Sequence, residues 1–515
     1  MPESVITTPP LKKLTSWGQW SPERYEQSLK AMAKGEATLR GCGAMLSSLG
    51  VAVIPESDTK PLQSAVLPVA LLPRPFPARQ FESAWRLGSV ITKLVDKISI
   101  DPQWLVNSLE EVAKADDFTR RLLEICRAVY VDGGRDHTED IRIHLIRHDY
   151  LPTTVGDRLL QVEVNTVSAG FAGMGTQVST FHRMTASAAF EGLSPTQLPP
   201  SKPIADFAAA IAEAVAAYNE KFDRCSHTIC MMVDAPEDNE CDQRFLESVL
   251  LADYGINVER RTMTDLAVAA VVDTQTGVVS IPSLLNSKRM VEIALFYFRT
   301  GYGPTQYIDD SHWELRERLE KSNAVMCPSV PQQLTGTKKV QQLWYSDPSV
   351  MSRFGLTREE ADRMREHFAV QVDPSENKDT VAAALKDPSA WVLKPQREGG
   401  GHNMYGDELV EALTTTSDED LKQFVLMERM LPAPLPCLAI DAPASREASR
   451  VVPKIISNGV SELGIYSAMV MKGNHMVMDK PCGHMLRTKD VNVAEGGVHA
   501  GFSVIDSALL FEGSF

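Results

Sequence analysis

Apolar residues recur at spacings of three and four from Glu82 to Tyr130, with Leu87, Ile91, Leu94 and Val95 on one stripe and few breakers after Pro102. That period predicts a helical scaffold. Past a loop at Val131 to Asp136 that carries Gly133 and Gly134, the period shortens. Ile141 to Ile146 and Leu159 to Val164 read as strands around the turn residues Pro152 and Gly156. Thr228 to Val233, Asp242 to Ala252 and Ile256 to Arg261 then read as strand, helix and strand, the succession of an open α/β sheet. The runs AVAAVV and VVSI, split by Asp273 to Gly277, predict a hairpin, and Leu295 to Phe298 a strand that ends at Arg299. Polar groups at such strand ends face crevices where ligands bind. Two stretches interrupt the pattern and are expected to be surface loops. One is Pro374 to Asp387; the other is Pro432 to Arg450, between the strand FVLMERM and a strand beginning near Val451. No repeat period of roughly 20 to 50 residues is evident.

Composition narrows the function. A chain of 515 residues with 43% hydrophobic content can bury a large core, as one interlocked unit or as about two to four domains. Its 52 Lys and Arg against 67 Asp and Glu give a net charge of −15, which repels polyphosphate backbones and argues against a nucleic-acid partner. No apolar run reaches the roughly 18 residues needed to cross a bilayer, and MPESVITTPP lacks the order of an export signal, so a soluble cytoplasmic protein is expected. The eight cysteines form no C-x-x-C pair and read as reduced structural thiols. His144, His148, His182 and His402 show no ligand spacing, and there is no G-x-S-x-G.

The candidate chemistry is concentrated in WVLKPQREGGGHNMYG, Trp391 to Gly406. Strand alternation puts Val392 and Lys394 on one face, with Trp391 and Leu393 on the other, so the lysine arrives at a strand end available to phosphate oxygens. Glu398 is a hard oxygen ligand of the kind Mg²⁺ prefers, and Gly399, Gly400 and Gly401 let backbone N–H groups approach a phosphate beside Asn403. The order of a Walker A loop is absent, and so is the protein kinase motif set. In QVEVNTVSAG, Glu163 and Asn165 share a face while Val162 and Val164 turn to the core, so both oxygens can chelate the ion that Glu398 holds. Near the C-terminus, HMLRTKDVNVAEGGVHAG places Arg487 and Lys489 before a glycine-bearing segment suited to a lid over phosphates. Arg299 with Tyr302, and the Lys338–Lys339 pair, add cationic candidates.

These stretches, together with NECDQR, YFRTGYGP, QQLTGTKKVQQ and ISNGVSELGIYS, occur in an order that closely resembles the eukaryotic-type glutathione synthetases of the ATP-grasp superfamily, from about Arg147 to the chain end. The resemblance implies an ATP-grasp architecture with an inserted open α/β substrate domain, a helical scaffold and a glycine-rich lid. Residues 1–225 would form the helical part and first ATP-grasp strands, 226–335 the substrate-binding domain, and 336–515 the ATP-grasp domain with its lid near 483–501. It further implies a cytosolic homodimer that uses ATP and Mg²⁺ to join γ-glutamylcysteine to glycine.

Carried over by the resemblance, the magnesium ligands are Glu163, Asn165 and Glu398. Lys338, Lys394, Gly399, Gly400, Gly401, Asn403, Tyr405, Met427, Glu428, Arg429, Met430, Glu462 and Lys489 would hold ATP. Arg147, Ser168, Glu237, Gln243, Arg299, Tyr302, Arg487, Val498 and His499 would face the peptide. Arg147, Lys338, Lys394 and Arg487 are the catalytic candidates. Gly170 stands where the family usually has a second serine, Arg429 replaces a lysine near the adenine, and His499 occupies a position usually held by alanine. The γ-phosphate would pass to the cysteinyl carboxylate, and glycine would displace phosphate from the acyl phosphate. Gly170 and His499 leave open a related carboxylate–amine ligase with another acceptor; a catalytically inactive ATP-binding interaction protein is the alternative from another class.

Overall fold

The computed structural model describes residues 22–34, 42, 45–46, 48–53, 65–189, 198–237, 239–396, 403–441, 452–493, 498 and 503–513. After the short strand β1 (Val69–Ala70), the helical period resolves into α1 (Ala78–Ser99), α2 (Pro102–Ala115) and α3 (Asp117–Cys126). Asp101 and Asp116 accept the first free N–H groups of α2 and α3, which sets where each helix begins. The next two strands run further than their apolar runs suggest. β2 (Ile141–Thr153) and β3 (Arg158–Asn165) form an antiparallel hairpin in which Pro152 lies within a strand, and Gly156 makes the turn at φ 74°. Helices α4 (Ala172–Ala189) and α5 (Pro203–Phe222) follow.

The predicted βαβ unit is present as β4 (Thr228–Met232), α6 (Glu240–Tyr254) and β5 (Asn257–Arg261). The expected hairpin is only half there. Met263–Ala269 is helix α7, started by a Thr262/Asp265 capping box, so just Val271 and Val272 of AVAAVV pair with 279–282. β6 (Leu295–Phe298) lies beside β4, and β7 (Val325–Cys327) beside β6, giving a parallel sheet in the order β7–β6–β4–β5.

A smaller layer follows α8 (Lys338–Ser346). It contains β8 (Gln371–Val372), α9 (Lys378–Lys386), β9 (Trp391–Pro395), α10 (Gly406–Thr415) and β10 (Phe424–Glu428), with the antiparallel order β8–β10–β9. The expected loop at Pro374 to Asp387 is therefore largely the helix α9, capped by Asn377; its polar exposed face hides the Ala384 that it buries. This layer keeps its own core, made by Val372, Ala384, Leu393, Leu409, Leu413, Leu421 and Leu426.

The expected loop at Pro432 to Arg450 is corrected too. Leu435–Asp441 is β11, paired to β1 on one side and to the next strand on the other, so its apolar residues are core despite two prolines nearby. Residues 442–450 of that stretch lie outside the described residues. β12 (Val452–Lys472), β13 (His475–Asp490) and β14 (Ser503–Asp506) complete a seven-stranded sheet ordered β11–β1–β14–β13–β12–β2–β3. β12 gives the first part of one edge to β11 and the rest to β2, while β13 runs along its other edge. Because β11 also reaches β1, five of the strands close on themselves. Helix α1 covers one face of this sheet, with α2 packed against α1 and α3 against α2, and α4 and α5 cover part of the other. Among the described residues, no helix is long and apolar enough to cross a membrane.

Leu393 is fully buried in the small core, on the strand face opposite Lys394. Leu393→Ala is expected to lower the unfolding free energy by about 2–5 kcal/mol, read by urea denaturation. A loss below about 1 kcal/mol would show that the small layer does not depend on this contact.

Candidate active site

The same face of three neighbouring strands turns from apolar to charged at one level. On β2, Ile143 and Leu145 enter the core with α4 and α5, and the next two positions on that face are Arg147 and Asp149. On β12, Tyr466 is followed by Gly464 and Glu462; on β13, Met485 is followed by Arg487 and Lys489. Register brings them together: Arg147 is opposite Tyr466, Asp149 opposite Gly464, Glu462 opposite Arg487, and Val460 opposite Lys489. β3 adds Asn165 opposite Arg147 and Glu163 opposite Asp149.

The small layer roofs this platform. Between them lies a cavity of about 220 Å³ lined by Glu163, Lys338, Lys394, Glu462, Arg487 and Lys489 on its polar side. Asn403, Tyr405, Met427, Glu428, Arg429 and Met430 line it as well. Val392 and Lys394 both face the cavity while Leu393 faces the core, as the alternation in WVLKP requires. Met427, Met430, Val392, Leu151, Val162 and Val460 make an apolar wall. Val162 was expected to turn to the core with Val164. A bulge in the β2–β3 ladder leaves it without a partner and rotates it into the cavity beside Glu163.

The charges are not independent. Lys338, at the first turn of α8, donates to Glu163 Oε2 at 2.8 Å. Burial alone would raise the Glu163 carboxyl, but Lys338, Lys394 and Arg487 outweigh it and hold it down at about 2. Glu462 goes the other way: burial raises it, Arg487 opposes, and Asp149 and Glu163 add like charge. Arg487 bridges Glu462 and Asp149, the latter at 3.1 Å. Arg147 is buried, which disfavours its charge, yet Asp149 beside it keeps the guanidinium firmly protonated. Lys339, the other half of the lysine pair, is committed to Asp373 at 2.6 Å, and Arg429 lies over the Tyr405 ring at 5.5 Å.

The loop after β3 joins this cavity to a second polar cluster. Ser168 and Phe171 hold left-handed backbone, φ 51° and 64°, which is strained for side-chain-bearing residues and is fixed by local bonds. Ser168 Oγ donates to Phe298 O at 3.3 Å, and the Phe171 N–H donates to Asp242 at 2.9 Å. Arg147 and Tyr466 both donate to the Gly170 carbonyl, at 3.2 and 2.7 Å. Asp242, on α6, also accepts the Gly173 and Met174 N–H groups and so caps α4, while standing 3.6 Å from Arg299 Nη2. Gln243 donates to Glu237 at 2.7 Å, and Tyr302 is held by the Gln306 side chain. Arg299 Nε and Asn239 Oδ1 are buried without a protein partner, which calls for a polar ligand or water between them.

The expected site residues thus fall into two adjoining groups, one around the cavity and one around Arg299. Arg147 and Asn165 stand at their junction. Val498 is buried and belongs to the apolar core shared with α4 and α5. Glu398, Gly399, Gly400, Gly401 and His499 lie outside the described residues. Arg487 and Lys489 sit in β13 itself rather than on a loop. Sequence reasoning passed over Asp149 and Asn239, whose only signals are polar side chains within or beside predicted strands.

Fold and site together define an α/β protein of ATP-grasp-like architecture, with a cavity between a large charged sheet and a small antiparallel one. The family model for the eukaryotic glutathione synthase ATP-binding domain matches residues 40–510. The glutathione synthetase of Mus musculus is 34% identical over 511 residues, covering 96% of this chain and 99% of that protein. That of Xenopus laevis is 35% identical over 452 residues, covering 86% and 90%. The chain belongs to the eukaryotic glutathione synthase family. Among solved structures, a glutathione synthetase-like effector of Globodera pallida in its apo form shares the fold, with a TM-score of 0.68 and 20% identity over 96% of this chain and 98% of that one.

Because Glu163 is held below the ordinary value of 4.5, its stabilising contribution is complete above that pH and is lost as pH falls toward about 2. The stability difference between wild type and Glu163→Gln is therefore expected to be constant from about pH 5 to 8 and to shrink by about pH 3.5, read by urea unfolding. A difference that grows on acidification would refute the ion-pair account.

Proposed function

We propose that this chain joins γ-glutamylcysteine to glycine with cleavage of ATP, giving glutathione, ADP and phosphate. The observation that carries the reading is the junction itself: Arg147, held by Asp149, lies between the cationic cavity and the cluster around Arg299. A triphosphate in the cavity would meet Lys338, Lys394 and Lys489, while the apolar wall of Val392, Met427 and Met430 offers a slot for a flat base. A peptide against Arg299, Gln243 and Ser168 would bring its reacting carboxylate to Arg147 and Arg487, within reach of the terminal phosphate.

The chemistry then needs no covalent link to the protein. A carboxylate oxygen attacks the γ-phosphorus and ADP departs. The amine of glycine attacks the acyl carbon, the acyl C–O bond breaks, and phosphate leaves carrying the former carboxylate oxygen while the amine gives up a proton to it or to solvent. Lysine and arginine side chains fixed in advance oppose the charge gathered on the phosphoryl oxygens. Glu163 and Asn165 fit a magnesium ion: both can offer oxygen, and the Asn165 Nδ2 group is already donated to Asp149 at 2.9 Å and to Arg147 O at 3.2 Å. When bound with ATP, such an ion supplies charge neutralisation at the phosphates.

The test is mass detection of glutathione from γ-glutamylcysteine, glycine, Mg²⁺ and ATP, with each component omitted in turn. One ADP and one phosphate are expected per glutathione. Undiminished ATP turnover without glycine would sink the ligase reading. Exchange of glycine for β-alanine or other small amines reports the acceptor preference. Lys394→Ala is expected to lower kcat by about 100-fold or more while the chain stays folded by circular dichroism.

A further inference from the structure

We propose that Asp149 is a positioning residue, a single buried carboxylate that sets the orientation of Arg147, Arg487 and Asn165 for the ligation; this rests on the function proposed above. Asp149 is wholly buried and does not line the cavity, so its action passes through its partners. Its Oδ1 accepts from Arg147 Nε at 2.7 Å. Its Oδ2 accepts from Arg147 Nη2 at 2.9 Å, Asn165 Nδ2 at 2.9 Å and Arg487 Nη2 at 3.1 Å. A structural Arg–Asp brace would be complete with the two bonds to Arg147. The other two go to groups that serve the cavity.

Each bond removes a freedom that matters. The bidentate grip fixes the Arg147 plane, so that its Nη1 reaches the Gly170 carbonyl at 3.2 Å on the peptide side. The bond to Arg487 draws that guanidinium away from an exclusive pairing with Glu462, beside the cavity. The bond to Asn165 commits the amide N–H₂ group, which leaves the amide oxygen as the atom Asn165 can offer to a cation.

A second observation stands apart from the hydrogen bonds. Gly464 is opposite Asp149 across the β2–β12 ladder, and a Cβ there would lie 2.8 Å from Arg147 Cδ and 2.9 Å from Asp149 Oδ1. Its backbone is not among the left-handed glycines, so what needs glycine is the approach of the Arg147–Asp149 pair over the strand.

Two variants test the proposal. Asp149→Asn keeps the shape but turns one acceptor into a donor facing guanidinium or amide N–H groups. Gly464→Ala leaves every charge in place and displaces the pair. Both are expected to raise the KM for γ-glutamylcysteine about 10-fold or more, with a smaller change in the KM for ATP. Asp149→Asn is also expected to weaken Mn²⁺ binding in the presence of a non-hydrolysable ATP analogue, read by electron paramagnetic resonance without turnover. Wild-type peptide KM and Mn²⁺ affinity in folded Asp149→Asn, with only the melting temperature lowered, would overturn the proposal and leave a brace. Should that variant not fold, an unchanged peptide KM in Gly464→Ala overturns it instead. A wild-type protein that forms no glutathione would refute the ligase reading alone, and the Mn²⁺ titration would still decide the role of Asp149.

Discussion

Burying charge is the constraint on which the rest of this structure depends. Asp149, Glu163 and Glu462 share one sheet face and its roof with Arg147, Arg487, Lys338, Lys394 and Lys489, at or beside a partly enclosed cavity. No carboxylate there is tolerable alone, and each is tied to a cation by a bond or by field. The cations outnumber the carboxylates, so the cavity keeps an appetite for anions in a molecule whose net charge is −15. Global charge and local charge oppose each other, and only the local one bears on the ligand.

That arrangement explains the architecture around it. Polar groups on a sheet face must be covered without being solvated, and a small antiparallel layer with its own apolar core can do this while leaving a gap. The layer meets the platform through side chains such as Met427, Val392 and Met430, which pack against Leu160 and Ala369. The cluster around Arg299 is built differently, from strand ends of a parallel sheet and a strained loop, which present backbone and guanidinium groups rather than a slot.

Much of this was legible in the sequence, and the parts that were not have physical reasons. The helical scaffold, the parallel unit and the strand WVLKP follow from period alone, since each buries a regular face. The cavity groups Lys394, Glu163, Arg487 and Lys489 were recognisable from residue type and spacing at strand ends. Leu435–Asp441 was hidden because proline and alanine suggest a loop, whereas one of its two neighbours in the sheet, β1, lies far away in sequence. Met263–Ala269 was hidden because alanine and valine suit either state, and the capping box decided it. Val162 misled because alternation fails at a bulge. Asp149 was invisible because its partners beyond Arg147 lie on two other segments, and nothing in IRIHLIRHDY distinguishes it from any polar strand residue.

Asp242 starts one helix and steadies Arg299 with the same two oxygens. Fold and recognition therefore share a residue, and a mutation that retuned Arg299 from this side would also loosen α4. Gly170 is the nearest unencumbered position: an added Cβ would rest 3.4 Å from Arg299 and 3.5 Å from Asn239, at the close edge of ordinary contact. A side chain can be added there without touching the carboxylate that starts α4.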